Sequence, residues 1–243
     1  LHLCDRRQRQ MCIRDRIYGI DISKYQHVHK RRVYGIDWRN LRITRLGHTA
    51  DRNALGAVDY PVSFVYIKST EGLTVFNPYY TRDVRAARRY GFPVGAYHFF
   101  STRPAMSQAD YFLKKSRLQK GDLPPMLDVE LSDRRIAAMG GRDVLFREML
   151  VWLKEVGRRS GTTPIIYVSQ DFVNRYMPFA PEELKAYPVW VARYGEYKPY
   201  VHLLYWQLSS DGRVRGIQGD VDIDVFNGSE EQFKRYLRTQ TVK

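Results

Sequence analysis

At 243 residues, 44% hydrophobic and 14% aromatic, the chain has enough apolar mass for one large domain with a buried core. No apolar run approaches the roughly 18–20 residues that cross a bilayer as a helix, and no 20–50-residue repeat is visible in these residues. The formal charge of +14 favours a polyanionic partner, nucleic acid or an acidic cell-wall polymer, and is also compatible with a basic face that is merely solvated.

Residues 1–16 differ from the remainder. They are rich in Arg and Gln, lack hydrophobic periodicity, and end in Met11-Cys12-Ile13-Arg14-Asp15-Arg16, which looks like a translated sequencing-library adapter. We expect a translation scar or a disordered arm here, to be set aside from fold reasoning, and a single domain over 17–243. Both cysteines, Cys4 and Cys12, fall in this segment, so no disulfide or Cys-metal argument is available for the body. Its five Arg against two Asp contribute +3, leaving the body at +11. A signal peptide upstream of Ile17 is compatible with this reading.

Ile17-Tyr18-Gly19-Ile20-Asp21-Ile22-Ser23 alternates and predicts a first strand. A polar stretch through about Tyr60 reads as loop with one short helix, and Thr44 to Asp59 reads as an insertion. Ser63–Lys68 predicts the next strand, with Glu71-Gly72 at its end. Tyr79–Tyr90 has helical spacing and stops at Gly91, a good C-terminal cap. Val94–Phe99 is a strand and Ala105–Arg117 a helix. Pro125–Leu131 is a short apolar strand carrying Asp128 and Glu130 two residues apart. Gly141–Ser160 is the longest amphipathic helix, with Val144, Leu145, Met149, Trp152, Leu153 and Val156 on one stripe. Pro164–Val168, a short helical piece over Pro181–Leu184, and Pro188–Ala192 follow. Leu203–Leu208 and Val221–Phe226 read as strands joined by polar, Gly-rich connections.

Strand–helix alternation implies parallel strands with helices outside, and eight strands imply closure. The expected fold is therefore an irregular TIM-like α/β barrel, five β/α units followed by three strands without helices. An open doubly wound sheet is the runner-up, although no Gly-rich phosphate loop follows any strand.

In such a barrel functional side chains gather at the strands' carboxyl ends. These ends bring together Asp21, Lys68 with Glu71, Tyr97 with His98, Asp128 with Glu130, Tyr167, Trp190, Trp206 with Gln207, and Asp222 with Asp224. Residues i and i+2 of a strand share a face, so Asp128 and Glu130 would point inward while Leu127, Val129 and Leu131 pack outward. Two adjacent buried acids raise at least one pKa, which suits proton donation by one and charge stabilisation by the other. Acids among aromatic platforms suit a sugar chain. Lys68 and Glu71 are expected to pair with each other, and His98 to be a hydrogen-bonded barrel residue.

Gly19-Ile20-Asp21-Ile22-Ser23-Lys24-Tyr25-Gln26, Tyr66-Ile67-Lys68-Ser69-Thr70-Glu71-Gly72 and Gly95-Ala96-Tyr97-His98-Phe99 resemble motifs of glycoside hydrolase family 25 lysozymes. Leu127-Asp128-Val129-Glu130, Trp190-Val191-Ala192-Arg193-Tyr194 and Val221-Asp222-Ile223-Asp224-Val225-Phe226-Asn227-Gly228 do so as well, in family order and over nearly everything from Ile17 onward. The resemblance implies a barrel of five β/α units plus three strands, and hydrolysis of the β-1,4 bond between N-acetylmuramic acid and N-acetylglucosamine. It implies Glu130 as general acid, Asp128 as stabiliser of charge or of the substrate's acetamido group, and Asp21 and Asp222 as further cleft acids. Substrate contacts would come from Tyr66, Tyr97, Tyr167, Trp190, Gln207 and Asp224, although aromatic rings at inward positions also simply fill barrels. Asp224 departs from the family's commoner Asn. The implied partner is the peptidoglycan glycan strand rather than nucleic acid, with no cofactor, no metal and a monomeric chain acting outside the cytoplasmic membrane. Two other readings of the same acids remain at this level: a phosphoesterase holding Mg²⁺ or Ca²⁺ on Asp21, Asp128, Glu130 and Asp222, and a non-catalytic wall-binding module.

Overall fold

The computed structural model describes residues 16–29, 31–48, 57–192 and 201–243. The expectation for the first sixteen residues falls almost wholly outside them, as do Arg193, Tyr194 and the middle of the Thr44–Asp59 insertion.

Eight strands close into a barrel: β1 (Ile17–Ile22), β2 (Val65–Glu71), β3 (Val94–Phe99), β4 (Met126–Val129), β5 (Ile165–Ser169), β6 (Pro188–Ala192), β7 (His202–Arg215) and β8 (Val221–Phe226). Each of β1 to β6 runs parallel to the next in sequence, and β8 closes the ring antiparallel to both β7 and β1. The irregular α/β barrel expected from the alternation is therefore the fold. Around it lie α1 (Tyr80–Arg89), α2 (Ala105–Ser116), α3 (Asp133–Ala138), α4 (Arg142–Ser160), α5 (Gln170–Arg175), α6 (Glu182–Lys185) and α7 (Glu230–Thr239).

The sequence reading anticipates neither of the short helices α3 and α5, and two larger stretches also differ from it in detail. Among its described residues, the β1–β2 connection contains no α-helix. It holds 3-10 turns at Lys24–Gln26 and Trp38–Asn40, a small hairpin of Val28–His29 with Arg32–Val33, and two outer strands, Arg42–Arg45 and Ala57–Pro61. Arg42–Arg45 pairs with the far end of β7, so this region extends the sheet beyond the barrel instead of looping out from it. The second difference is α7, which the polar C-terminus conceals. Its start is nonetheless written in Ser229 and Gln232, which form a capping box.

The alternation of each strand builds two apolar layers. Leu127 and Val129 of β4 face the helices together with Leu145, Met149, Trp152, Leu153 and Val156 of α4. Met126 faces inward, with Phe64, Tyr66, Trp190, Tyr205, Phe226 and Phe233 filling the barrel. Space for these rings comes from missing side chains: a Cβ on Gly19 would lie 2.3 Å from the Phe64 ring, and one on Gly95 2.3 Å from Tyr66. Trp152 is wholly buried between α4 and the barrel, its ring 5.3 Å from Phe112 and 5.8 Å from His98. Trp152→Ala should cost about 3–5 kcal/mol. At this chain length that is a fall in Tm on the order of 10 °C, readable by calorimetry.

Candidate active site

The barrel's direction decides which side chains meet. The parallel strands all end at one mouth, whereas β8, being antiparallel, begins there. Asp21 at the end of β1 therefore stands opposite Asp222 at the start of β8, and Asp224 opposite Gly19, two residues deeper. Asp128 of β4 is in register with Tyr167 of β5 and Phe99 of β3. A cleft of about 430 Å³ opens at this mouth, lined by Asp21, Asp128, Glu130 and Asp222 with Tyr97, Tyr167 and Gln207 among its walls.

The acids are not equivalent. Asp21 and Asp128 are 8% and 7% exposed, so their carboxyls sit in a protein environment rather than in water. Burial pushes Asp21 up to about 7, opposed by the Tyr97 hydroxyl, which donates to its Oδ1 at 3.4 Å, and reinforced by the Glu130 charge. Burial, then Asp21 and Glu130, push Asp222 up to about 9. Asp128 is held well above the ordinary carboxylate range, first by burial and then by Glu130 and Asp21, with Lys68 opposing. Its Oδ1 is buried with no hydrogen-bond partner among the described residues.

Glu130 lies one residue beyond the end of β4 and is solvent-exposed, not on the inner face of a buried strand as the two-residue spacing predicts. The strand stops at Val129, so the alternation does not carry Glu130 into the barrel. Partial burial of its carboxyl against the cleft wall still raises its pKa, and the Lys68 charge offsets this in part.

A hydrogen-bonded chain fixes the opposite wall: Tyr167 donates to Gln207 Oε1 at 2.9 Å, and Gln207 Nε2 donates to Asp222 Oδ1 at 2.7 Å. Gln207 thus orients Asp222 as well as lining the cleft. Lys68 and Glu71 pair at 2.8 Å, and Lys68 lies 4.4 Å from the centre of the Phe99 ring at the cleft edge. His98 points away from the cleft. Its Nδ1 accepts from Thr70 at 2.7 Å, its Nε2 donates to Gln108 at 3.1 Å, and burial lowers its pKa to about 4, so it is neutral and structural.

Three expected substrate contacts are displaced by the geometry. Tyr66 is fully buried and spends its hydroxyl on the Pro124 carbonyl at 3.0 Å. Trp190 is equally buried, packed 4.8 Å from Tyr205 and 5.0 Å from Tyr66. Asp224 lies below the floor, because an antiparallel strand descends from the mouth where a parallel one would end there. Burial raises its pKa well above the carboxylate range, followed by Asp21 and Asp222, and its role is interior. Conversely, Tyr25 lines the cleft with 68% of its surface exposed, although its polar turn offers no periodicity to flag it. Ser23 caps that turn and fixes its start. Among the described residues, no group of three or more His, Cys, Asp or Glu is placed to hold a metal ion.

Carboxyls of graded proton affinity, set among aromatic rings at the mouth of an irregular β/α barrel, define a sugar-cleaving hydrolase. The chain belongs to glycosyl hydrolases family 25, whose family model matches residues 20–217. Among its relatives, the uncharacterized protein YegX of Escherichia coli O6:H1 is 34% identical over 225 residues, covering 91% of this chain and 73% of that protein. Lysozyme M1 of Streptomyces globisporus is 29% identical, covering 88% and 68% respectively. The crystal structure of a lysozyme from Streptomyces coelicolor superimposes with a TM-score of 0.70 at 27% identity, over 89% of this chain and 94% of that one.

Proposed function

We propose that this chain is a muramidase that cleaves the β-1,4 bond between N-acetylmuramic acid and N-acetylglucosamine in peptidoglycan, with Glu130 as general acid. The observation that carries the assignment of roles is the different depth of two acids in one cleft. Asp128 is buried, and burial with the Glu130 and Asp21 charges raises its pKa, while Glu130 stands at the open edge. Glu130 gives its proton to the glycosidic oxygen as the bond to the anomeric carbon breaks, and can recover one from water. Positive charge then develops on the sugar, and the neighbouring acetamido oxygen can bond to the anomeric carbon. Asp128 stabilises that cationic group by ionising, its proton passing to cleft water, which the developing charge makes favourable only as the reaction proceeds. Water then attacks the anomeric carbon, breaking the bond to the acetamido oxygen and giving a proton to Glu130, and Asp128 regains its own proton from water. Asp21 and Asp222 complete the polar wall, and Tyr97, Tyr167 and the exposed Tyr25 offer rings for sugar faces.

The substrate lies outside the cytoplasmic membrane, so action at the wall follows, and the reading includes a monomer reaching it by export or by phage-type release. No helix among the described residues is long and apolar enough to cross a membrane. The direct test is purified peptidoglycan, followed by turbidity and by new reducing ends. Both should change at the same rate with and without EDTA. A chelator-sensitive activity would favour the metal-dependent phosphoesterase, and binding without new reducing ends would favour a wall-binding module.

A further inference from the structure

The charge that first marked this chain is not spread evenly. From Lys24 to Tyr34 the sequence has four Lys or Arg and no acid, and from Tyr79 to Tyr90 it has four Arg and only Asp83. Asp83 offsets only one of them: it is buried, with its Oδ2 2.5 Å from the buried His27 and its Oδ1 3.5 Å from Arg82, and among the described residues it makes no ion pair with Arg85 or Arg89. On the outer face of α1, Arg82, Arg85 and Arg89 line a groove of about 510 Å³ together with Thr81 and Tyr90. Positions 82, 85 and 89 fall at helical spacings of three and four, so the guanidinium groups share one face over roughly 10 Å of helix. Arg88, on the neighbouring face, is taken by Asp122 at 2.6 Å. Arg85 and Arg89 are exposed and have no ion-pair partner among the described residues.

This groove is connected to the cleft. The Arg82 guanidinium donates to His27 Nδ1 at 2.9 Å, and His27 closes the short turn that carries Tyr25 to the cleft wall. Exposed Lys24, Arg31 and Arg32 lie on that turn and on the hairpin after it. Basic side chains thus stand both on the turn that brings Tyr25 to the cleft and on the α1 groove bonded to that turn through Arg82 and His27.

We infer that the α1 groove is a docking site for the acidic peptide stem of the glycan strand held in the cleft. This rests on the muramidase reading and adds to it a preference for peptide-bearing strands. The muramyl lactyl group carries a short peptide with free carboxylates. An extended stem of about five residues spans up to about 17 Å, longer than the arginine row itself at roughly 10 Å. Arg forks match carboxylates in a bidentate geometry, and a partner fixed to the substrate needs no separate encounter.

The test compares Arg85→Gln/Arg89→Gln with the wild type on two substrates: intact glycan strands, and strands whose peptides have been removed by an amidase. The expected result is a roughly fivefold rise in KM on peptide-bearing strands only, the effect of two exposed ion pairs, with kcat unchanged because ground and transition states lose the contact equally. The charge-matched control Arg235→Gln/Arg238→Gln on α7 should leave both substrates unaffected. An equal rise on both substrates, or the same rise in the control, would reduce the effect to general attraction and overturn the docking site. A deficit seen only on walls carrying a phosphodiester polymer would overturn it in favour of phosphate. Binding of the free stem peptide, followed by calorimetry, tests the groove without hydrolysis. If no substrate is cleaved, the muramidase reading fails, while weaker peptide binding by the double variant would still uphold the groove and unchanged binding would sink it.

Discussion

Glu130→Gln should lower kcat on purified peptidoglycan by about 10²–10⁴-fold and leave KM nearly unchanged. Gln keeps the size and the hydrogen-bonding capacity of the side chain but has no proton to give at working pH, so the loss falls on bond cleavage and not on binding. The position of Glu130 explains why it, and not a more deeply buried acid, should carry this step. It is at the open edge of the cleft, where a departing sugar can leave and a proton can be regained from water. Burial against the cleft wall raises its pKa, so its protonated form persists to higher pH than in a free glutamate. Wild-type activity should therefore fall as pH rises through that raised pKa, whereas the residual activity of the variant should lack this limb. A variant with full activity, or one that keeps the wild-type alkaline limb, would remove Glu130 from the donor role.

How much of this was legible from residue order follows from the range of the forces involved. The helix and strand faces of the body are local, periodic signals, and α4 with its Leu145, Met149, Trp152 and Val156 stripe could be read directly. Asp21, Asp128, Glu130 and Asp222 were legible as a set because strand ends in a barrel must converge. Depth was not legible. Asp222 and Asp224 look equivalent in the sequence, and only the reversed direction of β8 puts one at the mouth and the other beneath the floor. Trp190 and Tyr66 are inward-facing like Tyr167, yet the closure of the barrel stacks them against Tyr205 in the interior. Tyr25 went unseen for the opposite reason: it lies on a 3-10 turn with no period, and its role comes from where that turn is set down. The outer strands Arg42–Arg45 and Ala57–Pro61 are short and polar, and are ordered by pairing with each other and with β7, about 170 residues away in sequence in the latter case.

Asp128→Asn should give a protein that is slower and, at neutral pH, more stable. The catalytic loss should be about 10²–10³-fold in kcat, because Asn cannot supply the negative charge that the developing cation calls for. The stability gain has a different origin. Asp128 is buried, its Oδ1 has no hydrogen-bond partner among the described residues, and Glu130 and Asp21 add like charge, so its folded pKa is raised well above its unfolded value near 4. Such a group binds a proton more tightly in the folded state. Its favourable contribution is complete below the unfolded pKa and is lost as pH rises through the folded one. Asp21, pushed up to about 7, acts in the same direction, so wild-type stability should decline between about pH 4 and pH 7. Asn stands in for the neutral acid at every pH and removes Asp128's share of that decline. Thermal unfolding should then show Asp128→Asn with a higher Tm than wild type at pH 7 and nearly the same Tm at pH 4, where the native carboxyl is already protonated. A lower Tm at pH 7 would mean that the carboxylate is stabilised where it lies, and the argument that this cleft stores ionisation cost for use on the sugar cation would fall with it. The trade is the one expected of a site built for a charge that exists only during reaction: a residue that disfavours the resting fold at neutral pH is one that the transition state needs.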